Sequence, residues 1–436
     1  MKRRLAVDLS SDCAGIKSPN PFWLASGPPT NSGEQVMRAF ERGWGGAVWK
    51  TLGQDPPVVN VTSRYGAIDL GTSKIAGLNN IELITDRPLS VNLKEISQVK
   101  KRFPKRAVIA SLMVPCERKA WHDIVRKVSD SGSDGLELNF GCPHGMSERG
   151  MGAAVGQVPE YVKMVTEFVK EKSSVPVLVK LTPNITDVRV PARAARAGGA
   201  DGLSLINTIN SLMGVDVETM IPKFAVGEKA AHGGYCGPAV KPIALNMLSS
   251  IANDPETLGV PLSGIGGISN WSDAVEFMLL GASSVQLCTA VMHHGFRIID
   301  DLNAGLEGWM RRKNFSALTD FVGRAAARVV EWKRLDLHHK TAAVIDPAKC
   351  IGCEVCFVAC NDGAHQCIDL RPGSRVPRVR ARDCVGCNLC ALVCPVDGCI
   401  SMKTVETGLK PLTWEQYAAA GMKGYRLGRR KRRHAS

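Results

Sequence analysis

No stretch of this chain approaches the ~20 consecutive apolar residues of a membrane span. Its start, MKRRLAVDLSSDC, is basic but has no continuous apolar run of the kind a secretion signal requires. Neither a membrane protein nor a secreted one is expected, and the chain reads as cytoplasmic. A GxGxxG loop directly after an early strand is also missing, so no NAD or FAD site of the dinucleotide-binding type is expected here. Acidic residues are in the minority, 41 against 55 Lys+Arg, for a net charge of +14. Half of that excess falls in the last fourteen residues, where Lys423, Arg426, Arg429, Arg430, Lys431, Arg432 and Arg433 supply seven positives. The body is only mildly basic, which weighs against a nucleic-acid-binding surface. A basic, disordered tail is expected over residues 406–436, with docking to an acidic partner as the alternative.

Cysteine is present but unevenly placed. Ten of the fifteen lie between Cys350 and Cys399, while Cys13, Cys116, Cys142, Cys236 and Cys288 are scattered before them. Clustered thiols in a chain without a signal peptide point to metal rather than disulfides.

Over roughly the first 300 residues, short β-type runs alternate with amphipathic helical ones, the pattern of a parallel sheet. Eight strands are expected: Pro21–Ser26, Ala47–Leu52, Val108–Met113, Gly135–Phe140, Pro176–Leu181, Gly202–Asn207, Leu262–Gly266 and Ser283–Thr289. Their number suggests an α/β fold of the (β/α)8 TIM-barrel type over residues 1–315, and an open doubly wound sheet is the alternative. In such barrels active residues sit at the C-terminal strand ends. The polar and glycine residues collect there: Ser26, Lys50, Asn139 with Cys142, Lys180, Asn207 with Thr208, Gly266 with Gly267, and Thr289.

The chemistry of those residues narrows their use. Gly264–Gly267 and Cys288–Ala290 end the last two strands, the usual phosphate corner of a barrel, although GIGG alone is equally a tight turn. Lys50 and Lys180 end strands that read as buried, and an isolated buried ammonium is costly. A reduced flavin ring is one anion that would relieve that cost. Asn80, Asn139 and Asn207 offer donors and acceptors suited to the edge of a planar amide ring, though any one of them could simply cap a turn. Cys142 opens a glycine-flanked loop, His144 to Gly150, expected to act as a lid. Judged alone, this cysteine could be an inert small hydrophobe.

After a connector read as helical over 316–341, the composition changes. Cys350-x2-Cys353-x2-Cys356-x3-Cys360 is followed by Cys384-x2-Cys387-x2-Cys390-x3-Cys394-Pro395. This is the bacterial ferredoxin spacing written twice, in which the fourth cysteine of each run ligates the other cluster. Cys350, Cys353, Cys356 and Cys394 are expected on one [4Fe–4S] cluster; Cys384, Cys387, Cys390 and Cys360 are expected on the second. Zinc sites seldom use this run. Cys367 and Cys399 fall outside the pattern and read as core. A two-cluster ferredoxin-like domain over 342–405 passes single electrons, so a barrel with a phosphate corner should hold a two-electron/one-electron converter, and FMN fits.

Five segments carry a resemblance: NIELI (Asn80–Ile84), ELNFGCPHGMSERGMG (Glu137–Gly152), KLTPNITD (Lys180–Asp187), INTINSLMG (Ile206–Gly214) and the paired cluster motifs. From Val7 to about Lys403 the chain resembles the dihydropyrimidine dehydrogenase family, in the bacterial form whose pyrimidine-reducing, Fe–S-containing subunit leaves NAD and FAD to a second subunit. The barrel is also similar to class 1 dihydroorotate dehydrogenases. The resemblance implies FMN contacts at Ala25, Ser26, Lys50, Asn80, Lys180, Gly237, Gly266, Gly267, Cys288 and Thr289. It implies substrate contacts at Asn80, Glu82, Leu83, Asn139, Asn207 and Thr208, with Cys142 as the catalytic cysteine. Gly141 stands where mammalian members have serine. Cys236 stands where relatives often have serine, and it reads as scaffold near the flavin.

The activity so implied is reduction of uracil or thymine, or the reverse, with electrons reaching FMN through the clusters from an FAD/NAD-binding partner subunit in an oligomer. Cys142 would protonate C5. Three rivals are a dihydroorotate-type enzyme acting on another cyclic amide, a pure electron carrier, and a nucleic-acid binder working through the tail.

Overall fold

The computed structural model describes residues 6–57, 62–69, 75–143, 145–363 and 365–421. Its two compact units divide between Val329 and Val330.

The first unit is a closed barrel of eight parallel strands. They are β1 (Phe22–Leu24), β2 (Gly46–Leu52), β3 (Ala107–Leu112), β4 (Gly135–Asn139), β5 (Val177–Lys180), β6 (Gly202–Leu205), β7 (Leu262–Ile265) and β8 (Ala282–Leu287). Each of the eight expected stretches overlaps one of them, within one residue at the N-terminal end, and strand order around the barrel follows chain order. Six of the strands are shorter than the expected runs, their C-terminal ends peeling away from the ladder into loops. Ser26, Leu181 and Asn207 thereby leave the sheet, and Thr289 opens the helix Thr289–His294.

Between strands and outer helices, the core buries Trp44, Trp49, Trp121, Phe40, Phe140 and Phe277 almost completely. Each such side chain contributes about 1.5–3 kcal/mol of transfer free energy. The opposite, N-terminal end of the barrel is plugged by a hairpin, Ser11–Cys13 against Ile16–Ser18, whose Cys13 and Ile16 pack on Trp23, Val48, Ile109 and Leu178. Gly135 makes room for this plug, since a Cβ there would lie 2.4 Å from Ile16 Cδ1.

A second sheet, absent from the sequence reading, covers the other end. It is antiparallel, in the order Ile209–Ser211, Gly233–Cys236, Ile75–Asn80, Tyr65–Asp69. Its strands hide from pattern analysis because glycine sits inside them. At Gly77 a Cβ would fall 1.9 Å from the Tyr235 hydroxyl, so the glycine that weakens strand propensity is what lets the neighbouring ring cross.

Residues 316–341, expected to be a helical connector, contain only three-residue 3-10 turns before a strand begins at Thr341. The chain leaves the helix Ile298–Lys313 through Asn314 in left-handed conformation and folds back on the barrel. Phe315 and Phe321 then pack on Trp309. Past a left-handed Gly323, the Gly323 and Ala325 N–H groups donate to the Met278 and Leu279 carbonyls at 2.9 and 2.8 Å. Those bonds cap the helix Trp271–Leu279, so this backbone serves another helix instead of forming its own.

The second unit pairs Thr341–Ile345 with Ile400–Thr404 and Ile368–Asp369 with Arg378–Val379. Part of the expected disordered tail is ordered: the helix Trp414–Ala419 is closed by a Thr413/Gln416 capping box. Trp414 stacks on Tyr417 and lies 6.0 Å from Trp332, and that aromatic packing holds the segment down. The basic run from Lys423 to Arg433 lies outside the described residues.

Gly156 supports the loop that follows β4, and a Cβ there would come within 1.9 Å of the Phe140 carbonyl oxygen. Gly156→Ala should destabilise the barrel by about 1–3 kcal/mol. Gly308→Ala, on an open helix face, should be neutral or better. Thermal melts of the two variants measure the difference, and equal melting temperatures would contradict the packing.

Candidate active site

The C-terminal strand ends and the antiparallel sheet surround one cavity of about 760 Å³. Ala25 and Ser26 follow β1, Lys50 lies in β2, Asn139 ends β4 with Cys142 just beyond, and Lys180 ends β5. Asn207 and Thr208 follow β6, Gly266 and Gly267 follow β7, and Cys288 and Thr289 follow β8. The sheet contributes Asn80, with Glu82 and Leu83 where the chain leaves it, and Gly237 at the end of Gly233–Cys236. All the residues expected at flavin or substrate line this one cavity.

Its floor departs from expectation in one respect: each buried lysine already has a carboxylate from the chain. Lys50 Nζ is 2.9 Å from Glu82 Oε2, and Lys180 Nζ is 3.5 Å from Glu137 Oε1. A bound anion is therefore not required to make these ammonium groups tolerable. Glu82 is gripped on its other oxygen as well, by the Tyr65 hydroxyl at 2.8 Å and Arg64 at 3.3 Å. Burial pushes the Glu82 carboxyl up, but Lys50, Tyr65 and Arg64 outweigh it and hold the group below the usual carboxylate range.

The asparagines are organisers of the cavity wall. Asn139 Oδ1 accepts from the Gly141 and Cys142 N–H groups at 3.2 Å each and from Asn207 Nδ2 at 3.0 Å. Its Nδ2 donates to Thr51 Oγ1 at 2.9 Å. Asn80 donates to the Gly234 carbonyl at 2.9 Å and accepts from the Glu82 N–H at 3.3 Å. These bonds tie β4, β6, the sheet and the Glu82 segment into one frame.

Cys142 is buried at the cavity edge among Ile84, Met113, Met146 and Met151. Its carbonyl accepts from the Ala153 N–H at 3.0 Å. Gly141 has a steric role beyond the hydroxyl it lacks: a Cβ there would lie 2.4 Å from Asn207 Cβ. A serine at this position requires Asn207 to sit elsewhere. At the phosphate corner, Gly266 (φ +128°) and Gly267 (φ +74°) hold backbone that side chains rarely adopt, and a Cβ on Gly267 would lie 2.8 Å from the Lys241 nitrogen. Burial, then Cys236, pushes the Cys288 thiol up to about 12, so Cys288 meets the cavity as a neutral thiol.

Residues 8–310 match the family model described as dihydroorotate dehydrogenase, which spans more than half of the chain. The chain belongs to the dihydroorotate dehydrogenase family. Residues 343–402 match a 4Fe-4S dicluster domain. Over 403 residues, 92% of this family member and 97% of the relative, it is 40% identical to the NAD-dependent dihydropyrimidine dehydrogenase subunit PreA of Escherichia coli (strain K12). It is 43% identical over 327 residues to the chloroplastic dihydropyrimidine dehydrogenase (NADP(+)) of Arabidopsis thaliana, covering 73% of this chain and 77% of that one. It is 35% identical over 328 residues to the catalytic subunit of dihydroorotate dehydrogenase B (NAD(+)) of Thermococcus kodakarensis, covering 73% and 98%.

In the dicluster portion of this dihydroorotate dehydrogenase family member, two small cavities divide the cysteines. Cys350, Cys353, Cys356 and Cys394 line one, with Ile345, Val396 and Ile400. Cys360, Cys384, Cys387 and Cys390 line the other, with Ala343, Leu389 and Met402. Four thiols from both runs around an apolar hollow fit the donor set of a cubane cluster. Cys367 and Cys399 are buried beside them, and the Cys367 N–H points at Cys360 Sγ from 3.4 Å.

Sequence reasoning missed Tyr65, Thr51 and Gln286, which line the cavity, and Glu137 behind Lys180. Tyr65 and its contact to Glu82 belong to no motif; only the unforeseen sheet brings them together. Cys236, read as scaffold, does line the cavity, and its thiol donates to the Leu78 carbonyl at 3.2 Å.

The Glu82 network predicts a pH dependence. Its folded carboxyl sits below the unfolded value of about 4.3, so its contribution to stability is complete above that value and lost as pH falls through the folded one. Tyr65→Phe removes a donor from Glu82 Oε1, moves the folded value up, and costs up to about 3 kcal/mol at neutral pH. Melting curves between pH 3 and 7 should show a smaller total acid loss in the variant, ending at higher pH, from a lower stability at neutral pH, and coincident curves would count against the contact.

Proposed function

We propose that the chain reduces uracil or thymine to the 5,6-dihydropyrimidine, or runs the reverse reaction, with FMN in the barrel cavity. The observation that carries this reading is the cavity itself. It places Cys142 in one space with Asn80, Asn207, Thr208 and Glu82, beside a glycine corner suited to a phosphate. The printed names of the Escherichia coli and Arabidopsis thaliana relatives support pyrimidine chemistry.

Ala25, Ser26, Lys50, Asn80, Lys180, Gly237, Gly266, Gly267, Cys288 and Thr289 would hold FMN, and the cofactor, when bound, supplies the hydride delivered to C6 of the ring. The remaining work falls to side chains. Asn80, Asn139, Asn207 and Thr208 orient the ring, with Leu83 against it, and Glu82 accepts a ring N–H. Cys142 donates the proton to C5, because a thiol is largely protonated at neutral pH and is ready as an acid. The loop after Cys142 acts as a lid that seats the thiol and excludes water, and its His144 lies outside the described residues. The two cysteine sets above would hold two [4Fe–4S] clusters, which would supply single-electron transfer from an FAD- and NAD(H)-binding partner subunit, the sequence carrying no GxGxxG loop of its own.

An anaerobic titration tests the reading. The isolated chain, chemically reduced, should have its flavin absorbance restored by uracil or thymine and not by orotate. Recovery with orotate alone would favour the dihydroorotate alternative, and recovery with no pyrimidine would sink the assignment. Cys142→Ala should keep the flavin yet lose turnover by more than ~100-fold. Iron analysis should return about eight atoms per chain, falling to about four in Cys387→Ser.

A further inference from the structure

Glu137 lies behind the cavity floor with no exposed surface at all, and the mechanism above does not use it. It projects from the middle of β4 into the barrel interior. Its Oε2 accepts from Ser204 Oγ at 2.8 Å and Gln286 Nε2 at 3.0 Å. Its Oε1 has no hydrogen-bond partner and faces Lys180 Nζ at 3.5 Å. Lys180 in turn lines the cavity, and Glu137 does not. The layer around this carboxylate is neutral: Gln286 and Ser284 both donate to Ser263 Oγ, at 3.1 and 2.9 Å. Stability does not explain such a group, because a buried ion pair is often no better than a well-packed apolar pair. What it does supply is a fixed negative charge directly behind the cation that meets the cavity contents.

We infer that Glu137 is a positioning residue that keeps Lys180 aimed at the cavity and, by offsetting the lysine's charge from behind, sets the reduction potential of the bound flavin. The inference rests on the flavin reading given above. Reduction adds negative charge to the ring, and Lys180 favours it. Glu137 opposes Lys180 from behind and keeps the flavin a stronger reductant than the lysine alone would allow.

The test is a spectroelectrochemical titration of the full chain reconstituted with FMN. Glu137→Gln keeps an acceptor for Ser204 and Gln286, removes the charge, and turns an amide NH2 toward Lys180 in place of the carboxylate oxygen. It should bind FMN within about twofold of wild type and shift the flavin equilibrium toward the reduced form by about tenfold, about 30 mV for a two-electron couple. An unchanged or more negative potential in flavin-replete E137Q overturns the inference alone. Failure of the wild-type chain to bind FMN overturns the flavin reading and this inference with it. A neutral pair at these positions is the change more easily tolerated, so E137Q/K180Q is compared with K180Q as a second arm. K180Q should make the potential more negative, and the double variant should recover part of that shift. A double variant with the potential of K180Q overturns the proposal, since a purely structural role for Glu137 would not move a potential.

Discussion

Two ammonium groups buried at the mouth of a barrel set the terms for this structure. Lys50 and Lys180 lie on different strands with almost no access to water, and an unpaired charge there would cost several kcal/mol. The fold meets that cost with carboxylates from two sources. Glu137 comes from the adjacent strand β4, inside the barrel. Glu82 comes from the segment leaving the covering sheet. The second pairing ties the sheet to the barrel floor, and Tyr65 and Arg64, at the sheet's edge, close around the same carboxylate. The cavity thus keeps its shape because its charges must find one another.

The same dependence on polar partners extends along the wall. Asn139 spends its side chain on the Gly141–Cys142 backbone, Asn207 and Thr51, so the loop carrying Cys142 is fixed by a residue of the strand that precedes it. Gly141 belongs to that arrangement. It lets Asn207 lie against the loop, which connects a difference at one small residue to the placement of an amide that faces the cavity. Membership of the dihydroorotate dehydrogenase family accounts for the barrel; these local contacts give this member its particular cavity.

The second unit rests on another constraint. Its buried cluster is made of Ala342, Ala343, Ile368, Ile400 and six cysteines, too small an apolar core to fold a unit of this length by packing alone. Thiols from both runs ring two hollows, and an arrangement of this kind is stabilised when the hollows are filled, so metal clusters would supply structure. Cys367 and Cys399, outside the ferredoxin spacing, complete the walls of the two hollows.

The eight barrel strands, the polar residues at their ends and the two ferredoxin runs were legible along the chain. Period, burial and fixed ligand spacing are local properties that a linear pattern carries. The exchange of Cys360 and Cys394 between the two hollows was legible for the same reason, since the spacing implies it. The covering sheet was not legible, because glycines such as Gly77 that admit a neighbouring ring also erase the strand signal. Nor was the fold-back after Lys313, where backbone donors bond to a helix far away in sequence. The pairing of Lys50 with Glu82 and of Lys180 with Glu137 was decided by tertiary structure alone. A buried charge is stabilised by whichever opposite charge the fold brings within a few ångströms, and no spacing along the chain encodes that distance.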